Sequence, residues 1–166
     1  MNRIDKKLRK EKAKTVGIIH VILFHTYAVF FGAVILGVIF DQIFAVHIFD
    51  NYNLQNLGFI MIVLGSILVY WAQSTTNSPK GELNKERDIN FFLRGPYKYT
   101  RNPTNLGLTI MTVGLGIIIN SFFSVLFIVI TYLISRFIFI RKQDSILTER
   151  YGEVFMDYKK KVKDWL

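Results

Sequence analysis

VGIIHVILFHTYAVFFGAVILGVIF, residues 16–40, runs for 25 residues without one charged side chain. As a helix rising 1.5 Å per residue it reaches about 37 Å, more than the ~30 Å hydrocarbon core of a bilayer. A basic segment precedes it, as in a secretory signal, but the apolar run is too long for a signal core and no convincing cleavage site follows. The stretch therefore reads as an uncleaved first membrane helix, and this sets the fold class.

Outward from it, further apolar stretches occupy residues 57–73, 104–119 and 122–140. The uninterrupted apolar part of the third begins at Leu106 and covers only about 21 Å as a helix. Asn120-Ser121 alone separates it from the fourth, so these two are expected to form a tight helical hairpin. Backbone groups in a turn lying below the membrane surface need protein or water partners. The expectation is an all-α integral membrane protein of one membrane domain with four transmembrane helices. Residues 74–103 form a cytoplasmic loop, and residues 141–166 a cytoplasmic amphipathic C-terminal helical segment.

Composition agrees. Hydrophobic residues make up 51% of the 166 residues and the mean hydropathy is +0.31, which excludes a disordered chain and argues against an ordinary soluble domain. With no cysteine there are no disulfides, thiolate metal sites or thiol nucleophiles. Of the 21 Lys and Arg, seven lie in residues 1–15, none in 41–56, six in 74–105 and eight in 136–166. Four crossings put every basic segment on one side, which the positive-inside rule makes the cytoplasm, with both termini there. The net charge of +9 then reflects attraction to anionic lipid, and no nucleic-acid-binding motif accompanies it.

The densest chemistry is Arg94-Gly95-Pro96-Tyr97-Lys98-Tyr99-Thr100-Arg101-Asn102-Pro103, just ahead of the third helix. A structural reading accounts for much of it: Asn102 as N-cap, Pro103 in the first turn, Gly95-Pro96 as a turn and the tyrosines as an interfacial belt. A functional reading uses the same geometry. A helix N-terminus attracts anions, Arg94 and Arg101 can grip carboxylates, and Tyr97 and Tyr99 can stack on a base or face a cation. A second group comprises Arg136, Arg141, Asp144, Glu149 and Arg150. Arg136 lies inside the fourth apolar run, where it either snorkels to the surface or lines a polar cavity. Asp144 is either a solvated acid or an acceptor for ligand hydroxyl or amine protons.

Tyr151, Phe155, Tyr158, Val162 and Trp165 recur at helical spacing, with Lys159, Lys160, Lys161 and Lys163 opposite and Gly152 interrupting near the start. By itself this pattern describes a helix lying among headgroups. His20 and His25 stand about 140° apart around a helix and share no face for a metal or haem. Gly114-Leu115-Gly116 reads as close helix packing, since no strand precedes it.

At these residues the chain resembles the integral-membrane methyltransferases related to isoprenylcysteine carboxyl methyltransferase and phospholipid methyltransferase. That family's pattern is roughly Gly-Pro-Tyr-x-Tyr-x-Arg-His/Asn-Pro-x-Tyr-x-Gly, matched from Gly95 to Gly107 with Asn102 at the His/Asn position and Asn105 in place of tyrosine. After the hairpin the family has Glu-Glu-x-x-Leu, an aromatic-Gly pair and spaced aromatics. Here these read Gln143-Asp144-Ser145-Ile146-Leu147, Tyr151-Gly152, Phe155, Tyr158, Val162 and Trp165.

The resemblance implies S-adenosyl-L-methionine as methyl donor and a lipophilic acceptor reached from the bilayer. It carries Tyr97, Arg101, Asn102, Gly107 and Asp144 to the cofactor cradle, with Leu106 and Tyr151 as its walls. Arg136 is expected to orient an acceptor carboxylate as the catalytic-site residue. The acceptor expected first is of the isoprenylcysteine carboxylate type, and the alternative is a phospholipid amine. Two readings from other classes are a non-catalytic relative, given Asn105 and Gln143-Asp144, and a nicotinamide-dependent membrane reductase.

Overall fold

A computed structural model describes residues 3–49, 55–76 and 92–164, with residues 3–20, 22, 23, 139 and 140 described by backbone alone. Every named element is helical. α1 spans Arg3–Phe44, α2 Gln55–Thr76, a 3-10 turn Gly95–Lys98 and α3 Pro103–Ile119. α4, Phe122–Ser135, continues through a π-helical turn, Arg136–Ile140, into α5, Arg141–Tyr151, and α6 spans Glu153–Lys161. Three stretches are long and apolar enough to cross a membrane, Phe24–Phe44, Gln55–Thr76 and Phe122–Tyr151, while Pro103–Ile119 is apolar but shorter. This is a multi-pass, all-helical membrane protein.

Burial inside the bundle is inverted relative to a water-soluble core. Thr26, Thr112, Ser124, Thr131 and Ser135 are buried, while Phe24, Ile35, Ile43, Phe59 and Ile67 are more than half exposed. A bilayer solvates such an apolar exterior, and small or hydroxylated residues allow helices to approach inside it.

The contact between α2 and α3 shows how. The helices run antiparallel, and Gly58 meets Gly114 as Gly65 meets Gly107. A Cβ on Gly65 would lie 2.6 Å from the Gly107 carbonyl oxygen, and one on Gly114 would lie 2.7 Å from that of Gly58. Each glycine pair is seven residues apart on its helix, two turns, so both contacts fall on one face. Ala72, fully buried, extends the α2 stripe by another two turns. Gly114 thus serves helix packing, as expected. On the other side α1 lies against α4, where a Cβ on Gly37 would collide with the Ser124 backbone. The Ser124 hydroxyl donates to the Val34 carbonyl at 3.0 Å.

The α3–α4 hairpin turn finds its partners in protein. Asn120 adopts the left-handed conformation (φ 60°) and its amide donates to the Ile117 carbonyl. Its side-chain oxygen accepts from the amides of Ile48 and Phe49 at 3.1 and 3.0 Å, and its Nδ2 donates to the Phe49 carbonyl at 2.9 Å. Asp41 of α1 accepts from the Phe123 amide at 3.1 Å and pairs with the Ser121 hydroxyl, covering the start of α4.

The helix that carries the first apolar run begins at Arg3, ahead of residue 16, because the preceding segment is rich in Lys and Arg, good helix formers, with no Gly or Pro among them. The helical segment expected from residue 141 is α5 and α6, divided at Gly152 as expected, whose φ of 56° ends α5. Of the expected 74–103 loop, residues 77–91 lie outside the described residues, as does Trp165.

Candidate functional site

The site begins with a turn that strongly favours glycine. Gly95 has φ 50°, and a Cβ there would collide with the Thr75 side chain at the end of α2. Pro96 follows, buried, and the Tyr97 amide donates to the Arg94 carbonyl at 3.1 Å while those of Tyr99 and Thr100 return to the Pro96 carbonyl. The motif is thereby folded under α2 and delivered to the N-terminus of α3.

There the chain departs from simple capping. Asn102 occupies the N-cap position and Pro103 opens the helix, but the Asn102 side chain makes no capping bond. Asn102 and Asn105 are both buried, at 7% and 5% exposure. The Asn102 Nδ2, the Asn105 Oδ1 and the Arg101 Nε are buried without hydrogen-bond partners. Buried polar groups in that condition are few in folded proteins and cost about 1–3 kcal/mol each.

Arg101 joins this helix end to the distant part of the chain. Its Nη1 donates to Asp144 Oδ2 of α5 at 2.7 Å, and its Nη2 pairs with Asp164, which follows α6. Lys159 of α6 approaches the same Asp144 oxygen at 3.0 Å. The Arg101 side chain is 9% exposed and that of Asp144 15%, so the attraction between them is poorly screened by water. Two cations and two carboxylates alternate in this quartet with no net charge.

The backbone supports the arrangement. The Arg101 amide donates to the Lys163 carbonyl at 3.1 Å, and the Thr100 hydroxyl donates to the Asp164 carbonyl at 2.7 Å. The Tyr158 hydroxyl donates to the Tyr97 carbonyl at 2.7 Å. Burial pushes the Tyr158 phenol well above its ordinary range, with Arg101 opposing that shift in part. Burial likewise raises Tyr97, whose hydrogen bond with Thr104 works the other way.

The described part of the tail's apolar stripe packs on protein. Phe155, Tyr158 and Val162 are buried against Phe92, Leu93, Leu147 and Tyr151, and Phe92 stacks on Tyr158 with ring centroids 5.2 Å apart. The motif segment offers these residues an apolar seat, so the stripe closes the site.

Of the residues singled out from sequence, the structure brings Tyr97, Arg101, Asn102 and Asp144 together. Gly107 is turned toward α2, where its absent Cβ would lie 2.8 Å from both the Gly65 oxygen and a Val69 methyl. Leu106 is half-buried in the first turns of α3. Tyr151 stands edge-on to Phe92 at 5.0 Å, with the Arg150 guanidinium over its ring. Arg136, where α4 passes into the π turn, is exposed and makes no ion pair among the described residues. Arg141 lies over the Phe137 ring and Glu149 is exposed. Sequence reasoning missed Lys159 and Asp164, although Asp164 was legible as one acid set against four nearby lysines.

An apolar cleft of about 360 Å³ is bounded by α1, α2 and α3. Phe31, Ile62, Val69, Leu108, Met111 and Leu115 contribute to its walls, and Tyr27 and Gln73 also line it. Tyr27 lies close enough to Tyr97 for the two phenols to interact, so the cleft reaches toward the motif.

A family model described as phospholipid methyltransferase matches residues 54–154, well over half of the chain. No curated protein and no solved structure gives a significant match.

Proposed function

Because this chain belongs to the phospholipid methyltransferase family, we propose that it transfers a methyl group from S-adenosylmethionine to a lipophilic acceptor resident in the membrane. The observation that carries the reading is the neutral quartet of Arg101, Asp144, Lys159 and Asp164 beside the unpartnered amide groups of Asn102 and Asn105. A methionyl group carries one carboxylate and one ammonium, and a quartet of both signs complements such a zwitterion. The donor at Asn102, the acceptor at Asn105 and the uncapped N-terminus of α3 supply the remaining polar demand.

The cofactor therefore fits the residues present. Arg101 and Asn102 would hold its carboxylate end, Asp144 its ammonium or ribose hydroxyls, and Tyr97 would wall the site. When bound, the sulfonium supplies an electrophilic methyl group with its leaving group already built in. The chain's own contribution is placement, which can be worth about 7–11 kcal/mol for a well-oriented pair. Low dielectric around the buried Arg101 and Asp144 strengthens their hold on charge, and the packed stripe of α6 keeps water out. No side chain needs to act as nucleophile.

The cleft between α1, α2 and α3 supports an acceptor with an aliphatic chain. Arg136 is proposed to meet an anionic part of that acceptor at the membrane surface. Both an isoprenylcysteine-type carboxylate and a phospholipid amine satisfy this chemistry.

α3 is shorter than the other apolar helices but pairs with α2 from Gly58–Gly114 to Gly65–Gly107. We infer that it crosses with α2, giving four crossings, a cytoplasmic motif and both ends of the chain inside, with α6 as the amphipathic closing helix.

Calorimetric titration of S-adenosylhomocysteine into detergent-purified protein tests the cofactor claim. Binding is expected, weakened at least tenfold by Arg101→Gln or Asp144→Asn. Absence of binding at millimolar ligand defeats it. Incubating lipid extracts with radiolabelled donor and separating the products identifies the acceptor.

A further inference from the structure

The Arg101 guanidinium, which the proposed function assigns to the cofactor carboxylate, is already gripped on both terminal nitrogens by carboxylates of its own chain. A ligand carboxylate can take Arg101 in the same way only if one of the two yields. Asp144 stands within α5, is 15% exposed and is braced by Lys159 at 3.0 Å. Asp164 is more exposed, at 28%, and lies beyond α6, where Val162 has already turned extended. Two hydrogen bonds hold that segment to the motif, Arg101 amide to Lys163 carbonyl and Thr100 hydroxyl to Asp164 carbonyl. Asp164 is the group with the less rigid support.

We propose that Asp164 is an affinity- and specificity-determining residue that occupies the ligand-carboxylate position on Arg101, so that residues 163 and 164, beyond the buried Val162, form a strap which the cofactor's carboxylate displaces. This rests on the cofactor reading above. Because Asp144 is shared between Arg101 and Lys159, the strap supplies the second carboxylate that balances the two buried cations before a ligand binds. It also sets a chemical filter. A nucleoside that lacks a carboxylate cannot replace Asp164 on Arg101 and gains nothing from the strap's removal, whereas an amino-acid-bearing nucleoside competes for that position directly.

The test is calorimetric titration of wild-type and Asp164→Asn protein with two probes. S-Adenosylhomocysteine carries the carboxylate, and methylthioadenosine carries the nucleoside and thioether without it. The variant is expected to bind S-adenosylhomocysteine about tenfold more tightly than wild type, a difference of about 1.4 kcal/mol, with methylthioadenosine affinity unchanged. Weaker binding of S-adenosylhomocysteine by the variant, or an equal change for both probes, overturns the strap while leaving the cofactor reading in place. Failure of both proteins to bind S-adenosylhomocysteine overturns both.

Hydrogen exchange on the wild-type chain gives an independent readout should the variant not fold. Adding S-adenosylhomocysteine is expected to speed exchange at the Arg101 amide, whose acceptor is the Lys163 carbonyl. Unchanged or slower exchange there means the strap stays in place, and the proposal falls.

Discussion

Asn105 is buried with a carboxamide oxygen that has no partner. Such a group opposes folding by about 1–3 kcal/mol, so a side chain kept only for structure gains by losing it. If the oxygen is there to receive a ligand, Asn105→Ala separates two properties that usually move together. The expected outcome is an unchanged or slightly raised melting temperature without ligand, and S-adenosylhomocysteine affinity lowered about five- to tenfold, on the order of 1 kcal/mol. Loss of stability with unchanged affinity would assign Asn105 to packing alone. The two charged residues at the centre were visible in the sequence as chemistry-bearing types, but their mutual contact was not. Arg101 and Asp144 are 43 positions apart, and no local periodicity links a loop cation to an acid beyond a hairpin. Lys159 was hidden for the same reason, inside a segment whose basic face reads as solvated.

Elements meet in this bundle through what their sequences leave out. The glycine contacts between α2 and α3 place backbone oxygen where a methyl group would go, and backbone cannot swing aside as a side chain can. Gly65→Ala is therefore expected to cost about 1–3 kcal/mol by overpacking, read as a lower midpoint in denaturant titration of the detergent-solubilised protein. Gly32→Ala on α1 is the control, since nothing lies within 4 Å of a Cβ there, and it should be neutral or mildly stabilising. The apolar runs announced these helices, and Asn120-Ser121 announced the hairpin. The seven-residue recurrence of Gly58, Gly65 and Ala72 was equally legible as a packing stripe, yet apolar content alone says nothing about which helix a stripe will meet.

The closing helix α6 adds a pH term at the same scale. Burial holds the Tyr158 phenol protonated well above its ordinary pKa of about 10. A group whose folded pKa is raised stabilises the fold fully below its unfolded pKa, and that contribution fades as pH climbs from there through the folded value. Tyr158→Phe removes this term and the hydrogen bond to the Tyr97 carbonyl. The variant is expected to melt lower than wild type at pH 8, by the equivalent of about 1–2 kcal/mol, and the gap should narrow above about pH 10. A gap that stays constant to pH 11 would show that Tyr158 acts through packing only.

For the molecule as a whole, the placement of charge and the pairing of α3 with α2 make a single topological claim. Asn56, at the start of α2, and Ser74, near its end, lie on opposite sides if α2 crosses. Lys142 then shares the side of Ser74 if α3 and α4 cross together, and lies on the other side if only one of them crosses. All three residues are described, and Asn56, Ser74 and Lys142 are exposed. Because the chain has no cysteine, one introduced cysteine gives one reactive site with no background from the protein itself. In intact cells a membrane-impermeant maleimide is expected to label Asn56→Cys and to spare Ser74→Cys and Lys142→Cys, which react after the membrane is opened. Labelling of Lys142→Cys from outside would mean that only one of α3 and α4 crosses. Asp144 would then be carried to the face opposite Arg101, which their 2.7 Å ion pair does not permit. The ion pair thus requires α3 and α4 to cross together or not at all, so a labelling pattern read at the scale of the bilayer bears directly on the chemistry assigned to two side chains.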